Sequence, residues 1–270
     1  MKSIKLGIVG AGNMASALVR GLVVSGRLSA EQMRVTDVSE AQCQALRTAH
    51  AVVSEASNAA LAAWANVVLV AVKPQVVPSI LADLKAAYRA EQLVVSIAAG
   101  VPIGVFAEKL PAGARIVRAM PNTPALVLES ATALARGTHA TDADVATARG
   151  IFDAVGETVV LDESQMDAVT GLSGSGPAYV MLIAEALADG GVRMGLSRET
   201  ARALAVRTLY GSAKLLLESG EHPAALKDKV ASPGGTTIAG LCALESHGVR
   251  NALIEAVTAA TLRSKELGKR

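Results

Sequence analysis

The sequence predicts an α/β protein in which a doubly wound sheet domain is followed by an all-helical domain. Over roughly the first 160 of its 270 residues, short apolar strands alternate with helical windows, a pattern typical of a parallel sheet covered by helices on both faces. Beyond residue 161 only helical windows follow. We therefore expect a sheet domain over residues 1–161 and a helical domain over residues 162–270.

Composition excludes several classes of partner. Apolar residues make up 51% of the chain, aromatic residues only 2%, and the net charge is +2, so neither a basic stripe nor stacking aromatics point to nucleic acid. The apolar runs are too short to span a bilayer, and the first strand leads into a glycine turn instead of a signal peptide. Cys43 and Cys242 lie too far apart for a metal-ligand motif. We expect a cytoplasmic protein with no membrane partner, no nucleic-acid partner and no metal.

The first strand ends in a glycine turn. Residues 4–9 form an apolar strand, Gly10, Gly12 and Ala15 complete a G-x-G-x-x-A pattern, and a helix is predicted over residues 16–25. Gly10 permits a tight bend, Gly12 leaves room for a pyrophosphate, and Ala15 lets the helix lie close to the strand. This context favours a Rossmann-type dinucleotide site over a plain strand-to-helix turn.

The second strand, residues 33–37, ends in Asp37, about 25 positions beyond Gly12. Its carboxylate could accept both ribose hydroxyls of NAD, or it could be a solvated residue that opens the next helix at Ser39. A carboxylate here would repel the 2′-phosphate of NADP, although Arg34 and Lys5 could offset that charge.

The third long strand, residues 67–72, is a continuous apolar run typical of a buried parallel strand. It ends in Lys73, Pro74 and Gln75, where Lys73 could reach a phosphate or ribose or simply be solvated. We expect Asn58 to be the N-cap of the helix predicted over residues 58–65. The remaining predicted elements of the first domain are helices over residues 40–49, 58–65, 77–88, 103–109 and 142–155 and strands over residues 51–53, 93–97, 115–120, 130–135 and 157–161.

Six helices are predicted in the second half of the chain. The helix that starts at Pro177 is apolar on nearly all sides, so we expect it to be buried in a large core or against a second subunit. The predicted helices cover residues 163–170, 177–194, 198–219, 223–230, 237–246 and 249–267.

Three loops combine small or rigid residues with polar groups. Residues 171–179 and 232–237 are glycine and hydroxyl clusters that open helices, and each could serve as an anion site or as an ordinary helix cap. In residues 121–124 two prolines bracket Asn122 and Thr123, so this loop is rigid and its polar side chains face either solvent or the cleft.

Together with the glycine turn and residues 71–75 and 120–124, these loops make the chain resemble pyrroline-5-carboxylate reductase over essentially its whole length. The resemblance implies reduction of (S)-1-pyrroline-5-carboxylate to L-proline by NAD(P)H, the last step of proline biosynthesis. It further implies substrate bound where the two domains meet, a helical dimerisation domain, and a homodimer that can assemble into a pentamer of dimers. The family habit favours NADPH, whereas Asp37 makes NADH the alternative.

The resemblance also assigns residues. Thr237 is the candidate catalytic residue, donating a hydrogen bond to the ring nitrogen. The substrate loop comprises Ser232, Gly234, Gly235, Thr236 and Thr237. With Asp37 added from its position after the second strand, the expected cofactor residues are Gly10, Ala11, Gly12, Asn13, Met14, Asp37, Asn58, Ala71, Val72, Lys73, Pro74, Ala98 and Ala99.

Hydride addition to a C=N bond needs no strong side-chain base, because the imine nitrogen can take its proton from water. This fits a chain whose four histidines, His50, His139, His222 and His247, lie outside every motif. Dehydrogenases of the 3-hydroxyisobutyrate and 6-phosphogluconate type are the enzymatic alternative, but they need a lysine base that residues 177–194 lack. A further alternative is a non-catalytic regulator that binds a dinucleotide or pyridoxal phosphate.

Overall fold

The computed structural model describes residues 4–268, and its first half is built on one eight-stranded sheet. All neighbouring strands are parallel except β6 and β7, which confirms the predicted α/β class. In chain order the strands are β1 (Leu6–Val9), β2 (Met33–Thr36), β3 (Val53–Ser54), β4 (Val67–Val70), β5 (Leu93–Ser96), β6 (Arg115–Met120), β7 (Ser130–Arg136) and β8 (Gly156–Val160).

The order of the strands across the sheet is β3-β2-β1-β4-β5-β6-β7-β8. The chain thus runs outward in one direction from β1 to β3 and in the other from β4 onward. Val9 at the end of β1 lies opposite Thr36 of β2 and Val70 of β4, so the carboxyl ends of these strands meet at one edge. A crevice at such a reversal of strand order is where ligands bind in open α/β sheets.

Helices cover both faces of this sheet. Alternate residues of each strand enter two separate hydrophobic cores: Leu6 and Ile8 lie in one, and Val9 lies in the other. Burial on both faces explains why the strands are continuous apolar runs. The helices of this part are α1 (Asn13–Val24), α2 (Glu40–His50), α3 (Asn58–Trp64), α4 (Val77–Ala87), α5 (Ile103–Lys109) and α6 (Asp142–Phe152).

The second half is helical, as predicted, and one stretch of it is a π-helical turn over Thr170–Gly174. The helices are α7 (Met166–Val169), α8 (Gly176–Arg193), α9 (Arg198–Ser219), α10 (Pro223–Val230), α11 (Thr236–Ser246) and α12 (Val249–Gly268). Among the helices of residues 4–268, none is both long and apolar enough to cross a membrane.

The described residues form two compact units. The first holds residues 4–175 and 259–268, and the second holds residues 176–258. Residues 162–175 and the end of α12 therefore pack with the sheet, where Ser264 Oγ donates a hydrogen bond to Asp167 Oδ1 at 2.6 Å. The last strand, β8, ends at Val160, and only helices follow it among the described residues. The expected division into a cofactor domain over residues 1–161 and a substrate and dimerisation domain over residues 162–270 stays a prediction.

The second unit exposes much apolar surface. Within it only Ala188, Ala201 and Ala205 form a buried cluster, whereas Met181 of α8 is 67% exposed and Leu217 of α9 is 76% exposed. A soluble monomer rarely leaves so many large apolar side chains open, so this surface is suited to a protein partner.

Three local expectations differ from the structure. Asn58 is not the cap of α3, because Ser57 precedes it and Ser57 Oγ accepts a hydrogen bond from the Ala60 N–H at 3.1 Å. Helix α1 begins at Asn13, nearer the glycine turn than predicted. Residues 171–174 do not open a helix, because they belong to the π-helical turn, and the N–H of the following residue, Ser175, donates to Thr170 O at 2.9 Å.

Candidate functional site

The glycine turn joins β1 to α1 at the point where the strand order reverses. Gly10 has a φ of +100°, and a Cβ atom there would lie 2.5 Å from the carbonyl oxygen of Ala71. Its N–H donates to Thr36 O at 2.7 Å. Only glycine fits this position, because both the backbone conformation and the neighbouring carbonyl exclude a side chain.

Gly12 precedes α1 and leaves the start of that helix open. No side chain caps the first turn of α1, and a Cβ atom on Gly12 would meet nothing closer than Gln42 Oε1 at 3.9 Å. Unpaired N–H groups at the start of a helix bind phosphate, and the missing side chain leaves room for it. The turn therefore fits a dinucleotide pyrophosphate.

Asp37 lies beside the turn and is held by two backbone groups. Its Oδ2 accepts a hydrogen bond from the Ala11 N–H at 2.7 Å, and its Oδ1 accepts one from the Ser39 N–H at 2.8 Å. A carboxylate oxygen can accept more than one hydrogen bond, so Asp37 keeps the capacity to bind ribose hydroxyls. Asp37 is therefore not a freely solvated residue, because it bonds two backbone N–H groups even without a ligand.

A cleft of about 560 Å³ opens along the turn and the ends of β2 and β4. Its size is within the range of small-molecule and cofactor sites. Seven of the predicted cofactor residues line it, namely Gly10, Gly12, Asp37, Asn58, Ala71, Val72 and Lys73.

A hydrogen-bonded chain that the sequence did not reveal borders the same cleft. Thr36 Oγ1 donates to Asn58 Oδ1 at 2.6 Å, and Asn58 Nδ2 donates to Asp83 Oδ2 at 2.9 Å. Thr36 could have been suggested by its place before Asp37, but Asp83 lies on α4 in no recognisable motif. This network fixes the amide of Asn58 at the wall of the cleft.

The charges around the cleft are mainly negative. Asp37, Glu55 and Asp83 line it, and Lys73 is the only lysine or arginine among the described lining residues. Arg34 forms an ion pair with Glu55 and stacks 4.3 Å from the centre of the Trp64 ring, so its charge is already engaged.

Lys5 stacks on the same Trp64 ring at 5.9 Å from its centre. Neither Lys5 nor Arg34 lines the cleft, so the structure does not support them as groups that offset a 2′-phosphate. Nearby, burial and the charge of Asp37 raise the pKa of the Cys43 thiol, which keeps it protonated and uncharged.

The remaining predicted cofactor residues lie outside the lining of this cleft. Ala11 is buried and its N–H is bonded to Asp37, whereas Asn13 is exposed and Met14 packs against the core, so the groups left for a cofactor are the N–H groups of Asn13 and Met14. Pro74 and Ala99 line a second cleft of about 450 Å³ between the ends of β4 and β5, and Ala98 is buried beside it. The predicted set thus follows the carboxyl edge of the sheet across β1, β2, β4 and β5.

The loop after β6 makes contacts that the sequence left open. Asn122 is only 9% exposed, so its amide faces neither solvent nor the dinucleotide cleft. Its Nδ2 donates to Ser173 O at 3.0 Å, while its Oδ1 accepts hydrogen bonds from Ser130 Oγ at 3.1 Å and the Ala131 N–H at 3.0 Å. Asn122 therefore links the loop to the π-helical turn.

The predicted substrate loop lies in the second unit, between α10 and α11. Gly234 has a φ of +65°, the Gly235 N–H donates to Ser232 O at 3.0 Å, and no side chain caps α11 at Gly235. The Thr237 side chain is half-buried in the first turn of α11, whereas Ser232, Gly234 and Thr236 are exposed. The loop therefore presents helix N–H groups and hydroxyls together, which suits a carboxylate.

Within residues 4–268, no three histidine, cysteine, aspartate or glutamate side chains are grouped so that they could hold a metal ion. The four histidines also lie outside both clefts. The described site therefore offers backbone N–H groups, hydroxyls and carboxylates, but no histidine base.

A doubly wound sheet with this glycine turn and adjoining cleft defines a dinucleotide-binding domain of the kind found in nicotinamide-dependent oxidoreductases. Two family models match successive parts of the chain: "NADP oxidoreductase coenzyme F420-dependent" over residues 5–100 and "Pyrroline-5-carboxylate reductase dimerisation" over residues 163–267. The chain belongs to the pyrroline-5-carboxylate reductase family, as the following relatives show.

The pyrroline-5-carboxylate reductase of Methanosarcina acetivorans is 46% identical over 270 residues, which is 100% of both chains. Among solved structures, the reductase of Coxiella burnetii has a TM-score of 0.94 at 36% identity, covering 99% of this chain and 100% of that one. The Plasmodium falciparum enzyme, solved with NADP bound, has a TM-score of 0.88 at 34% identity and covers 99% of each chain. The similarity thus extends over both halves of the fold.

Proposed function

We propose that this protein reduces (S)-1-pyrroline-5-carboxylate to L-proline with NAD(P)H. The observation that carries the proposal is the similarity to reductases of this name, at 46% identity over 100% of both chains for the Methanosarcina acetivorans protein. The dinucleotide cleft and the uncapped start of α1 support the same reaction, because both suit a nicotinamide cofactor.

In this proposal the carboxyl edge of the sheet holds the cofactor. The N–H groups of Asn13 and Met14 and the space at Gly12 receive the pyrophosphate, while the Ala11 N–H, bonded to Asp37, fixes the turn beside it. Asp37 and Asn58 border the adenosine ribose. Ala71, Val72, Lys73, Pro74, Ala98 and Ala99 flank the rest of the cofactor along the ends of β4 and β5.

The substrate loop, residues 232–237, holds the pyrroline ring. Its backbone N–H groups bind the carboxylate, and the Thr237 hydroxyl donates a hydrogen bond to the ring nitrogen. Reduced nicotinamide supplies the hydride that adds to the imine carbon. Orientation by the loop and one donated hydrogen bond are sufficient because an imine nitrogen takes its proton readily, in keeping with clefts that no histidine lines among the described residues.

The choice between the two cofactors is the finer part of the proposal. The family habit and the NADP-bound Plasmodium falciparum structure favour NADPH. The carboxylates of Asp37 and Asp83 favour NADH, because they lie where a 2′-phosphate would add negative charge. We propose that the protein uses NADPH, with NADH as the alternative. The ratio of kcat/KM for NADPH to that for NADH, measured in Asp37 variants, distinguishes the two.

The exposed apolar surface of α8 and α9 supports a homodimer formed through the helical half, residues 162–270. A pentamer of such dimers and a cytoplasmic location complete the proposal. Light scattering coupled to size-exclusion chromatography measures the mass: twice the chain mass is expected for the dimer and ten times for the larger ring.

Turnover assays test the reaction itself. The protein should oxidise NADPH or NADH when pyrroline-5-carboxylate is added, and proline should form in equal amount. Oxidation of 3-hydroxyisobutyrate without imine reduction would instead support a hydroxyacid dehydrogenase. Tight dinucleotide binding with no turnover of either compound would support a regulator.

A further inference from the structure

The amide of Asn122 connects two segments that lie 51 positions apart in the sequence. Its Nδ2 donates to the carbonyl of Ser173 in the π-helical turn, and its Oδ1 is fixed from the other side by Ser130 and Ala131. Because both ends of the amide are bonded and the side chain is buried, its orientation is strongly determined.

The carbonyl of Ser173, which accepts this hydrogen bond, lies four residues before a proline. In an α-helix the carbonyl of Ser173 would accept a hydrogen bond from the N–H four residues later, but that residue is Pro177 and has no N–H. The Ser173 carbonyl accepts a hydrogen bond from Asn122 Nδ2 at 3.0 Å. The turn is also widened to the π form here, a change found frequently at functional sites.

The same turn packs against the end of a central strand. A Cβ atom on Gly174 would lie 2.7 Å from Met120 Cε, so Gly174 lets the turn approach Met120, the last residue of β6. Strand β6 is parallel to β5, and the carboxyl ends of these strands lie on the edge of the sheet where the cofactor is proposed to bind. The π-helical turn is thereby held at the edge where hydride transfer would occur.

We propose that Asn122 is a positioning residue, which fixes residues 173–176 at this edge through the Ser173 carbonyl. The proposal rests on the proposed reductase function. Loss of the Nδ2 donor would let the turn shift, so the geometry of the substrate would suffer more than the binding of the cofactor, whose pyrophosphate lies at the distant glycine turn.

The first test compares two variants of the same buried cluster. Asn122→Asp keeps an oxygen for Ser130 and Ala131 but replaces the donor to Ser173 by a carboxylate oxygen. Ser130→Ala, the comparison variant, removes one of the two donors to Asn122 Oδ1 and the acceptor of the Asn122 N–H, but leaves the Ala131 N–H and the Nδ2 donor to Ser173 in place. We expect kcat with pyrroline-5-carboxylate to fall about tenfold or more in Asn122→Asp, with KM for NAD(P)H changed by less than about twofold, and little kinetic change in Ser130→Ala.

The second test asks whether a new donor compensates. Pro177→Ala returns a backbone N–H four residues after Ser173, the spacing at which a carbonyl accepts a hydrogen bond in an α-helix. The loss of kcat caused by Asn122→Asp should therefore be smaller in the Pro177→Ala background, about threefold in place of tenfold, and the two changes should be clearly non-additive. If Asn122→Asp acted only by lowering stability, it would reduce kcat by the same factor with and without Pro177→Ala.

Hydrogen exchange of the amides of residues 173–176 gives a readout besides activity. These amides should exchange faster in Asn122→Asp than in Ser130→Ala at equal thermal stability. Equal kcat and equal exchange in the two variants, or additive effects with Pro177→Ala, would overturn the positioning role. Absence of turnover in the wild type would overturn the reductase function instead, and the exchange data would still decide whether Asn122 holds the turn.

Discussion

The Asp37 carboxylate accepts a hydrogen bond from the Ala11 N–H at 2.7 Å, which ties the end of β2 to the glycine turn. The residue expected to select the cofactor by its charge is therefore also part of the support of the pyrophosphate site. Its second oxygen accepts from the Ser39 N–H at 2.8 Å, so both functions depend on one fixed carboxylate. Substitutions of Asp37 therefore have to distinguish the effect of its charge on cofactor choice from the effect of its hydrogen bonds on the glycine turn.

Asp37→Asn removes the negative charge but keeps an oxygen that can accept from one of the two N–H groups. The repulsion of a 2′-phosphate should decrease, and the ratio of kcat/KM for NADPH to that for NADH should rise about tenfold. Steady-state kinetics with each cofactor at saturating pyrroline-5-carboxylate measures this ratio.

Asp37→Ser should shift the ratio in the same direction and, because Ser is too short to hold Ala11, also raise KM for both cofactors. Glu31→Gln is the control, since Glu31 is exposed in the short turn before β2 and lies outside the cleft. An unchanged ratio in both Asp37 variants would show that this carboxylate does not discriminate between the cofactors.

Alanine substitutions at Gly10 and Gly12 should have different effects on the free energy of unfolding. Gly10→Ala places a Cβ atom 2.5 Å from Ala71 O at a φ of +100°, so we expect a loss of about 2 to 4 kcal/mol in the free energy of unfolding. Gly12→Ala meets no atom closer than 3.9 Å and should leave stability within about 0.5 kcal/mol. Urea unfolding of both variants measures the difference.

Cofactor binding completes this comparison. The added methyl group of Gly12→Ala would occupy the space proposed for the pyrophosphate, so the Kd for NADPH should rise at least about tenfold in a fully folded protein. Fluorescence titration or calorimetry measures it. Normal binding by Gly12→Ala would place the pyrophosphate elsewhere.

Lys73 is the only lysine or arginine among the described residues that line the dinucleotide cleft. Lys73→Gln should raise KM for the cofactor roughly three- to tenfold at low salt, because an exposed lysine contributes modestly to phosphate binding, and the effect should shrink at high salt. Lys85→Gln on the exposed side of α4 is the control and should change nothing. Equal KM values in the two variants would remove Lys73 from the site.

Thr237 is the proposed donor to the substrate nitrogen. Thr237→Val keeps the shape of the side chain and removes the hydroxyl, so kcat/KM for pyrroline-5-carboxylate should fall about tenfold to a hundredfold, whereas Thr237→Ser should retain most of the activity. Thr258→Val is the control, because the Thr258 hydroxyl donates to Ile254 O at 2.9 Å within its own helix. Wild-type kinetics in Thr237→Val would exclude this role.

The fold and the first part of the site could be predicted because they depend on local signals. Continuous apolar strands such as β4 report burial on both faces. Gly10 reports a backbone conformation that few other residues can adopt, and Gly12 reports space beside the start of a helix. These signals are carried by neighbouring residues, so one sequence is sufficient to read them.

The contacts that escaped prediction join distant positions. Asp83 reaches Asn58 over 25 residues, Asn122 reaches Ser173 over 51, and Gly174 of the π-helical turn lies against Met120 at the end of β6. The helix cap illustrates a local ambiguity, since Ser57 and Asn58 are both suitable caps and the structure uses Ser57. Side-chain pairing of this kind leaves no periodic trace in the sequence.

Transfer of deuterium tests the central claim most directly. The wild-type protein is incubated with pyrroline-5-carboxylate and NADPH or NADH that carries deuterium at the transferable C4 position, and the product is analysed by mass spectrometry and NMR. We expect one deuterium at C5 of L-proline for each cofactor molecule oxidised. Cofactor oxidation without labelled proline, or no oxidation by a folded protein that binds the dinucleotide, would contradict the account.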